Sequence, residues 1–286
     1  MKAGKKAGGI KVAFQGELGA FSQLAIRQFL GARARPIPCQ RFDEIFTALA
    51  ERKVDCAAVP IENTLHGSIY ANYDLLLKHD FAITAETNVR VVHNLIAPPG
   101  VSFRQVRRVF SHEVALNQCR DFFAAHPAIQ QEIFYDTAGS VKTIMRDRPP
   151  GGAAIASALA AKIYGARILK SGIEDDRQNY TRFFLLEPAG SKPRTPRGSG
   201  KKPWKTSLVF STRNIPGALF RALSALALRD LNLVKVESRP LRGKPWEYLF
   251  YLDLIGRQDD TKVQHALGHL GELADFLRVL GSYRAA

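Results

Sequence analysis

The feature that most constrains the fold is a repeated alternation of short apolar strands and helices over the first two thirds of the chain. A first cycle runs from residues 11–15 through a glycine loop and two helices to residues 56–59, and a second from residues 106–110 to residues 153–156. Strands that alternate with helices are typical of α/β domains. Two cycles, bridged by the extended segment 81–96 and by a strand that holds Thr181, predict two lobes with a cleft between them.

The last third of the chain has a different order of elements. Its apolar pattern predicts strand 206–211, helix 217–229, strands 233–237 and 248–254, helix 263–273 and strand 276–280. This β-α-β-β-α-β order is ferredoxin-like. A segment rich in Pro, Gly, Ser and Lys precedes it and has the composition of a linker. We therefore predict a two-lobed α/β part at 10–187, a flexible basic linker at 188–203 and an α+β domain at 204–286.

Composition bounds the partners and the compartment. Residues 1–11 carry four lysines and residues 188–203 carry five basic residues, neither with an acid, so these segments hold nine of the fifteen excess positive charges. Charge concentrated in linker-like segments predicts solvated tails rather than a nucleic-acid surface. Cys39, Cys56 and Cys119 are odd in number and lack Cys-x-x-Cys spacing, which argues against a disulfide framework or a zinc site. No apolar run is long enough for a signal peptide or a membrane span. We predict a cytoplasmic protein without a metal or other cofactor.

Two polar loops follow the first two buried strands. Gly16 and Gly19 lead into a helix that starts near Ser22, an arrangement that exposes helix N–H groups to an anion. The glycine spacing is too loose for a dinucleotide fingerprint. After the second strand, Pro60 is expected to end pairing, so that Asn63 and its neighbours project from a loop at the same sheet edge. Asn63 could instead cap the next helix, and the sequence leaves both readings open.

Thr181 and Arg182 interrupt a strand that otherwise consists of aromatic and aliphatic residues. Thr181 could be an ordinary β-branched strand residue and Arg182 could point to solvent. The alternative is that these polar side chains carry the chemistry. Because side chains alternate along a strand, Arg182 would reach the same ligand as Thr181 only if the strand were twisted or bulged, and otherwise would brace the site from behind.

Five motifs, in order, resemble the prephenate dehydratase family, including the arogenate dehydratases. Segment 12–22 resembles the family's opening glycine motif, 59–64 its Pro-Ile-Glu-Asn-Ser motif, and 179–183 its Thr-Arg-Phe signature; 217–219 and 237–240 resemble the two phenylalanine-binding motifs of an ACT domain. Thr64 stands where serine is commoner in the family. The resemblance covers residues 10–283. It implies two lobes like those of type 2 periplasmic binding proteins, an ACT regulatory domain, homodimers or homotetramers, and a required threonine at Thr181.

The resemblance also implies the chemistry. Prephenate would lose its ring hydroxyl and one carboxylate, as carbon dioxide, to give phenylpyruvate in phenylalanine biosynthesis; arogenate, which would give phenylalanine directly, is the alternative substrate. Thr181 is predicted to hydrogen-bond the leaving hydroxyl. The predicted substrate-binding residues, most of them at helix starts or strand ends, are Ser22, Asn63, Ser111, Thr137, Ala138, Gly139 and Arg182.

Phenylalanine is the predicted effector, held between two ACT domains. The residues expected to contact it are Asn214, Gly217, Ala218, Leu219, Glu237, Ser238 and Arg239. Gly217 follows Pro216, so it could also serve only to start a helix. Two other functions were weighed: a non-catalytic amino-acid sensor, which would not need the Thr-Arg-Phe segment, and a nucleic-acid binder, which the position of the charges disfavours.

Overall fold

A computed structural model describes residues 9–194, 200–241 and 246–286. The chain divides into two compact units. The first contains the chain up to His79 together with Thr87–Phe184, and the second contains Asp80–Glu86 together with Leu185–Ala286. Part of the predicted linker, residues 195–199, and the first lysines of the chain lie outside the described residues. The predicted domain limits therefore stay a prediction, whereas the α/β class is confirmed.

The first cycle of strands and helices is present as predicted, with two additional strands. Its elements are β1 (Ile10–Gln15), α1 (Phe21–Leu30), β2 (Ala34–Cys39), α2 (Phe42–Ala50), β3 (Cys56–Asn63), β4 (Gly67–Ser68), α3 (Tyr70–Lys78) and β5 (Phe81–Arg90). The apolar pattern of the sequence predicts neither β2 nor β4. β2 contains Pro36 and Pro38, and it lies at the edge of the sheet, where a strand tolerates residues without an N–H.

The second cycle follows the same plan. Its elements are β6 (Asn94–Ala97), β7 (Arg108–Ser111), α4 (Glu113–Asn117), α5 (Arg120–Ala124), β8 (Gln130–Ile133), α6 (Thr137–Asp147), β9 (Gly152–Ala156), α7 (Ala158–Tyr164), β10 (Arg167–Ser171) and β11 (Tyr180–Pro188). Where one helix was expected after Ser111, the structure has the two short helices α4 and α5. β11 is the predicted strand that holds Thr181.

These strands form two sheets. The first has the order β2-β1-β3-β11-β5, with β4 paired to β3, and the second has the order β10-β6-β9-β7-β8. β1 is parallel to β2 and β3, and β7 is parallel to β8 and β9. The loops after each group of parallel strands therefore emerge at one sheet edge, as the sequence predicted. Of the central strands, β9 is buried along its whole length, and β3 is buried from Cys56 to Ile61.

The prediction that Pro60 ends its strand is wrong. β3 continues through Pro60 to Asn63, so Asn63 is the last strand residue rather than part of a loop. The register of β3 with β1 covers only Cys56 and Ala57, so the missing N–H of Pro60 costs no hydrogen bond to that neighbour. The Pro60 carbonyl accepts a hydrogen bond from Asn72 Nδ2 at 2.6 Å.

The glycine loop after β1 lies against the second lobe. Gly19 has a φ of +97°, and a Cβ there would lie 2.5 Å from Ala160 Cα at the start of α7. The Gly19 carbonyl accepts a hydrogen bond from Ser157 Oγ, the N-cap residue of α7. A side chain at Gly19 would therefore require a strained backbone and would displace α7 from this loop.

The second unit contains a ferredoxin-like domain with the predicted order of elements. These are β12 (Trp204–Ser211), α8 (Ala218–Ala227), β13 (Leu233–Pro240), β14 (Tyr248–Ile255), α9 (Thr261–Leu273) and β15 (Phe276–Arg284). The antiparallel sheet has the order β13-β14-β12-β15, and an apolar core packs α8 and α9 against it. β13 is an edge strand with Val234 and Val236 exposed.

The short segment Asp80–Glu86 of β5 packs within this second unit. Glu86 is 1% exposed, and its carboxylate pairs with Lys205 Nζ of β12 at 2.6 Å. A Cβ at Gly281 of β15 would lie 2.2 Å from the Ile83 carbonyl oxygen. The Asp80–Glu86 segment is thus held by a buried ion pair and by close backbone packing. In the part of the chain that the structure describes, no helix is long and apolar enough to cross a membrane.

Candidate active site

Thr181 and Asn63 meet at the start of β11 and the end of β3. Asn63 Nδ2 donates to Thr181 Oγ1 at 3.0 Å. The predicted pair is therefore brought together by neighbouring strands of the first sheet. The Thr181 oxygen is occupied by a side-chain donor rather than by main chain, and among the described residues no acceptor takes the Thr181 proton. A hydroxyl in this state can donate to a bound ligand.

The two orientations that the sequence left open for Asn63 are combined in the structure. Its Oδ1 accepts the Leu65 N–H at 3.0 Å and the His66 N–H at 3.1 Å, so its oxygen end caps a turn, although not helix α3. Its Nδ2 end is then free to face β11. The cap fixes which end of the amide points at Thr181.

Asn179 belongs to the same cluster, and the sequence analysis did not assign it a role. Its side chain is fully buried, and its Oδ1 accepts from Asn63 Nδ2 at 2.8 Å. Two residues apart on an extended segment, Asn179 and Thr181 present their side chains to the same side. This strand alternation was the available signal, because it groups Asn179 with Thr181 and apart from Tyr180 and Arg182.

Arg182 lies on the other face of β11. Its guanidinium is 3.7 Å from a Glu62 carboxylate oxygen and stacks over the Phe184 ring at 4.8 Å, with the Arg182 side chain 13% exposed. A cavity of about 390 Å³ on this face is lined by Glu62, Thr64, Asn88, Tyr180 and Arg182. Of the two predicted positions of Arg182, the structure shows the one behind the Thr181 face. Its assignment to substrate binding stays a prediction.

Thr64 ties the same two strands together at their ends. Its Oγ1 donates to the Gln178 carbonyl at 2.8 Å and accepts the Tyr180 N–H at 3.0 Å, and the Thr64 N–H donates to the Tyr180 carbonyl at 2.9 Å. These bonds hold the first residue of β11 beside the end of β3. Thr64 therefore fixes the position from which Thr181 projects.

Ser22 lies at a helix start that the chain leaves open. The N-cap residue of α1 is Ala20, which offers no side-chain cap, and the first turn contains no acid. Ser22 itself is 7% exposed. The first turn of α1 thus supplies neither a side-chain cap nor a negative charge to the positive end of the dipole, and an anion there would be stabilised. This is the predicted arrangement, and its role in binding stays a prediction.

The start of α6 is closed, in contrast to the prediction. Asp136 is its N-cap residue, and its carboxylate accepts the Gly139 N–H at 2.7 Å and also contacts the amides of Ala138 and Glu17. Burial raises the pKa of Asp136, and these backbone donors oppose that shift. The N–H groups expected to bind a substrate carboxylate therefore already bind a carboxylate of the chain.

Ser111, another predicted donor, has a structural partner. It is fully buried, and its Oγ donates to the Ile155 carbonyl at 2.7 Å. At Thr137 it is the carbonyl that has a partner, since it accepts from Ser140 Oγ at 2.6 Å. In the described residues, no hydrogen bond joins Ser22, Ser111 or Thr137 to the Asn63–Thr181 pair. The sequence placed these residues at strand ends and helix starts correctly, but it could not show which donors neighbouring elements would use.

A charged bridge that the sequence analysis missed connects the two lobes. The Glu17 carboxylate accepts from Lys142 Nζ at 3.0 and 3.1 Å and from the Tyr135 hydroxyl at 3.2 Å. Burial and the neighbouring Glu17 raise the pKa of Tyr135 to about 12. A cavity of about 620 Å³ adjoins this bridge and is lined by Gln15, Gly16, Glu17, Pro38, Cys39, Gln40, Tyr135, Asp136 and Lys142. The partners lie more than a hundred residues apart, so no local motif reveals them.

The predicted effector residues fall into two groups in the second unit. Asn214, Ala218 and Leu219 line a cavity of about 110 Å³ together with Thr212, Arg213, Ile215, Trp246, Tyr248 and Phe250. Gly217 has a φ of +76° and is the N-cap of α8, so it does start a helix. Glu237, Ser238 and Arg239 lie on the edge strand β13 and do not line this cavity. Their joint contact with an effector stays a prediction.

Within the described ranges, no three His, Cys, Asp or Glu residues lie close enough to hold a metal ion. The three cysteines are free thiols. Burial raises the pKa of the Cys39 and Cys119 thiols, which keeps both protonated at neutral pH.

Comparisons with known proteins agree on one family. The family model "Prephenate dehydratase" matches residues 12–191, and the model "ACT domain" matches residues 206–271. "Arogenate dehydratase/prephenate dehydratase 2, chloroplastic" of Arabidopsis thaliana is 44% identical over 96% of this chain and 72% of its own length. The structure of a prephenate dehydratase from Arthrobacter aurescens in complex with L-Phe is 32% identical, with a TM-score of 0.86 over 97% of this chain and 90% of that one.

A further solved structure is described as "GqqA, a novel type of quorum quenching acylases". It is 32% identical, with a TM-score of 0.86 over 96% of this chain and 98% of that one. Proteins with the same two-part fold are therefore described with more than one activity. The residues of the site, rather than the fold, must be used to distinguish these activities.

Proposed function

Because this chain belongs to the prephenate dehydratase family of hydro-lyases, we propose that it converts prephenate to phenylpyruvate, with Thr181 as the donor to the leaving hydroxyl. In this reaction the bond from the ring to one carboxylate breaks and releases carbon dioxide. The electrons of that bond complete the aromatic ring, and the ring hydroxyl leaves and takes up a proton to form water. A hydrogen bond to the departing oxygen lowers the barrier because negative charge develops there.

The observation that supports this role is the direction of the hydrogen bond between Asn63 and Thr181. Since the Asn63 amide donates to Thr181 Oγ1, the threonine oxygen acts as an acceptor towards the chain. The proton of the Thr181 hydroxyl therefore remains available for a hydrogen bond to a ligand. A threonine hydroxyl is a very weak acid, so the proposal is a strong hydrogen bond to the leaving group. As the ring becomes aromatic, the proton that completes the water molecule passes through Thr181, which regains a proton from solvent.

The dianionic substrate also needs donors for its two carboxylates. Of the helix starts predicted to supply them, that of α1 with Ser22 is open, whereas that of α6 is closed by Asp136. We therefore place one substrate carboxylate at the start of α1. Carboxylates at Ala138 or Gly139 would require Asp136 to move first.

Arogenate is the second candidate substrate, and the relative that is 44% identical carries both substrates in its name. Prephenate and arogenate share the ring and its leaving groups and differ in a keto or an amino side chain. Turnover of the purified chain on each substrate, at equal concentrations, separates them. Turnover of neither would overturn the proposed function.

An acylase reaction is the activity described for one structural relative. Acyl transfer needs a nucleophile whose proton is taken by a neighbouring base. Among the described residues, no imidazole or carboxylate accepts a hydrogen bond from Thr181 Oγ1. The Thr181 site therefore favours elimination, and release of a carboxylic acid from an N-acylated test substrate serves as the negative control.

Feedback by phenylalanine is part of the same proposal. The match to an ACT domain and the related structure with bound L-Phe support it, as does the cavity beside Asn214. Exposed Val234 and Val236 on edge strand β13 suit pairing with a second copy, which supports a homodimer or homotetramer. Phenylalanine should lower activity and shift the sedimentation coefficient together; no change in either would count against regulation.

A cytoplasmic location completes the proposal. The free thiols of the three cysteines are what a reducing compartment maintains. Fractionation of the native host with a specific antibody tests it directly.

A further inference from the structure

Asn179 is a buried polar residue that the proposed mechanism does not yet use. It is fully buried, and its Nδ2 has neither solvent contact nor a hydrogen-bond partner among the described residues. An unpaired buried amide costs free energy that an apolar side chain of similar size would not. Packing alone therefore does not account for an asparagine at this position.

The directions of the hydrogen bonds around Asn179 follow from the chain itself. The Leu65 and His66 N–H groups both donate to one end of the Asn63 amide, so that end is its oxygen. The other end is an NH₂ group, which can only donate. The atom of Asn179 that faces it must then be an oxygen, which is the arrangement in the structure, at 2.8 Å.

The same NH₂ group has two protons and three nearby acceptors. Besides Asn179 Oδ1, these are Thr181 Oγ1 at 3.0 Å and the Tyr180 carbonyl oxygen at 3.1 Å. When Asn179 holds one proton, the plane of the amide is fixed and the second proton is directed towards Thr181. Without Asn179, the amide is free to turn towards the Tyr180 carbonyl.

We propose that Asn179 is a positioning residue that, by holding the Asn63 amide in place, keeps the Thr181 hydroxyl turned towards the leaving group. Asn179 accepts from Asn63, Asn63 donates to Thr181, and Thr181 is left to donate outward. This inference rests on the proposed function, since it needs a ligand oxygen to receive the Thr181 proton. It assigns Asn63 to the orientation of Thr181 instead of the predicted direct contact with substrate, because both of its amide protons are then committed to Asn179 and Thr181.

The direct test replaces Asn179 by Leu, which keeps the branched shape, is somewhat larger, and removes the acceptor. We expect N179L to fold with wild-type circular dichroism, because the gain from removing an unpaired buried amide offsets part of the cost of the larger side chain. Its kcat should fall by more than about twofold and up to roughly tenfold, the worth of one neutral hydrogen bond, with KM within about threefold of wild type. The shorter N179S, which does not reach Asn63, should show the same pattern and replaces N179L if the leucine variant does not fold.

A double-mutant cycle separates positioning from a general structural effect. In a T181A background there is no hydroxyl to orient, so adding N179L should leave the residual kcat unchanged. A structural role would lower kcat by the same factor in both backgrounds. The matched control is Tyr180→Phe, the neighbouring residue on the other face, which should keep wild-type kcat.

The direction of the bond to Thr181 is tested by Asn63→Asp. A carboxylate still accepts from Leu65 and His66, but it would also accept the Thr181 proton and so turn the hydroxyl inward. We expect N63D to be inactive near neutral pH and to gain activity as the pH falls through the pKa of the new carboxyl, because the protonated form can donate again. The enzyme-free rate is subtracted at each pH.

Two results with the Asn179 variants would overturn the proposal. One is a kcat within about twofold of wild type, a difference too small for one lost hydrogen bond. The other is an equal fold loss of kcat in the wild-type and T181A backgrounds. A pH profile of N63D parallel to that of wild type would also contradict it. Failure of the proposed function has a different signature, which is the absence of wild-type turnover on both prephenate and arogenate.

Discussion

The two faces of β11 differ in kind, although they are built from adjacent residues. On one face Asn179 and Thr181 form a neutral hydrogen-bonded group with Asn63, and they leave donors without partners among the described residues. On the other face Arg182 is committed to Glu62 and to the Phe184 ring. The charged Arg182 thus has its partners within the chain. The neutral face with Asn179 and Thr181 can still donate hydrogen bonds to a ligand.

This difference shows how a strand can hold a reactive hydroxyl in place. Charged and aromatic contacts behind the strand fix the backbone, and the neutral face can then keep donors unpaired at a modest cost. A dianionic substrate also needs no charged side chain beside the leaving oxygen. The formal charge of a residue is therefore a poor guide to its role here, and the face on which it lies is a better one.

Substitution of Thr181, on the neutral face, should have the largest effect on turnover. Thr181→Ala should lower kcat by about 10²–10⁴-fold, the range for loss of a positioned proton donor, with little change in KM or stability. Thr181→Ser should retain part of the activity because it keeps the hydroxyl. Steady-state kinetics on prephenate and arogenate measure both, and a kcat of T181A close to that of wild type would remove the neutral face from the mechanism.

The opposite face should respond in stability rather than turnover. Arg182→Ala removes the contact with Glu62 and the stacking on Phe184, which should cost about 1–2 kcal/mol of unfolding free energy. We expect kcat to change only a few-fold. Thermal or urea unfolding beside kinetics provides the measurement; a large loss of kcat at full stability would place Arg182 in contact with the substrate.

Thr64 provides a third test of the difference between the two faces. It joins the ends of β3 and β11 but does not belong to the neutral group. Thr64→Val keeps the shape and removes the bonds to the Gln178 carbonyl and the Tyr180 N–H. We expect a loss of about 1 kcal/mol in stability, and kcat within a few-fold of wild type. Thr64→Ser, which keeps the hydroxyl, is the control and should retain most of the stability.

Glu62 should show the smallest effect. Its side chain is 36% exposed and 3.7 Å from the Arg182 guanidinium, so solvent screens the pair. Glu62→Gln should change stability by less than about 0.5 kcal/mol. A fall in turnover at unchanged stability would show that the carboxylate acts on the substrate.

The sequence predicted the fold well wherever a local pattern determined it. The alternation of strands and helices, the β-α-β-β-α-β order and the strand through Thr181 were all correct, because apolar periodicity reflects burial directly. β2 was missed since its two prolines mimic a loop, and the end of β3 was misplaced at Pro60 since no pattern shows which neighbour a strand pairs with.

For the site, the sequence predicted which strand residues come together. It did not predict which helix N–H groups are already bound by a side chain of the chain. Asn63 and Thr181 come together because adjacent strands carry them. Whether a helix start is open depends on a single side chain, which is Ala20 at α1 and Asp136 at α6. Asn179 could have been grouped with Thr181 by alternation alone, but its unpaired amide is a tertiary property that only coordinates reveal.

The segment Asp80–Glu86 has a practical consequence for anyone who shortens this chain. The pairing of Glu86 with Lys205 means that a fragment ending in the linker keeps a carboxylate that was shielded from water and discards the ammonium that neutralised it. Such a fragment also uncovers the Ile83 backbone that Gly281 packs against. A truncation meant to relieve feedback would therefore also destabilise the remaining protein, and we expect substitutions at Asn214 or Leu219, two of the predicted effector contacts, to reduce feedback with less damage.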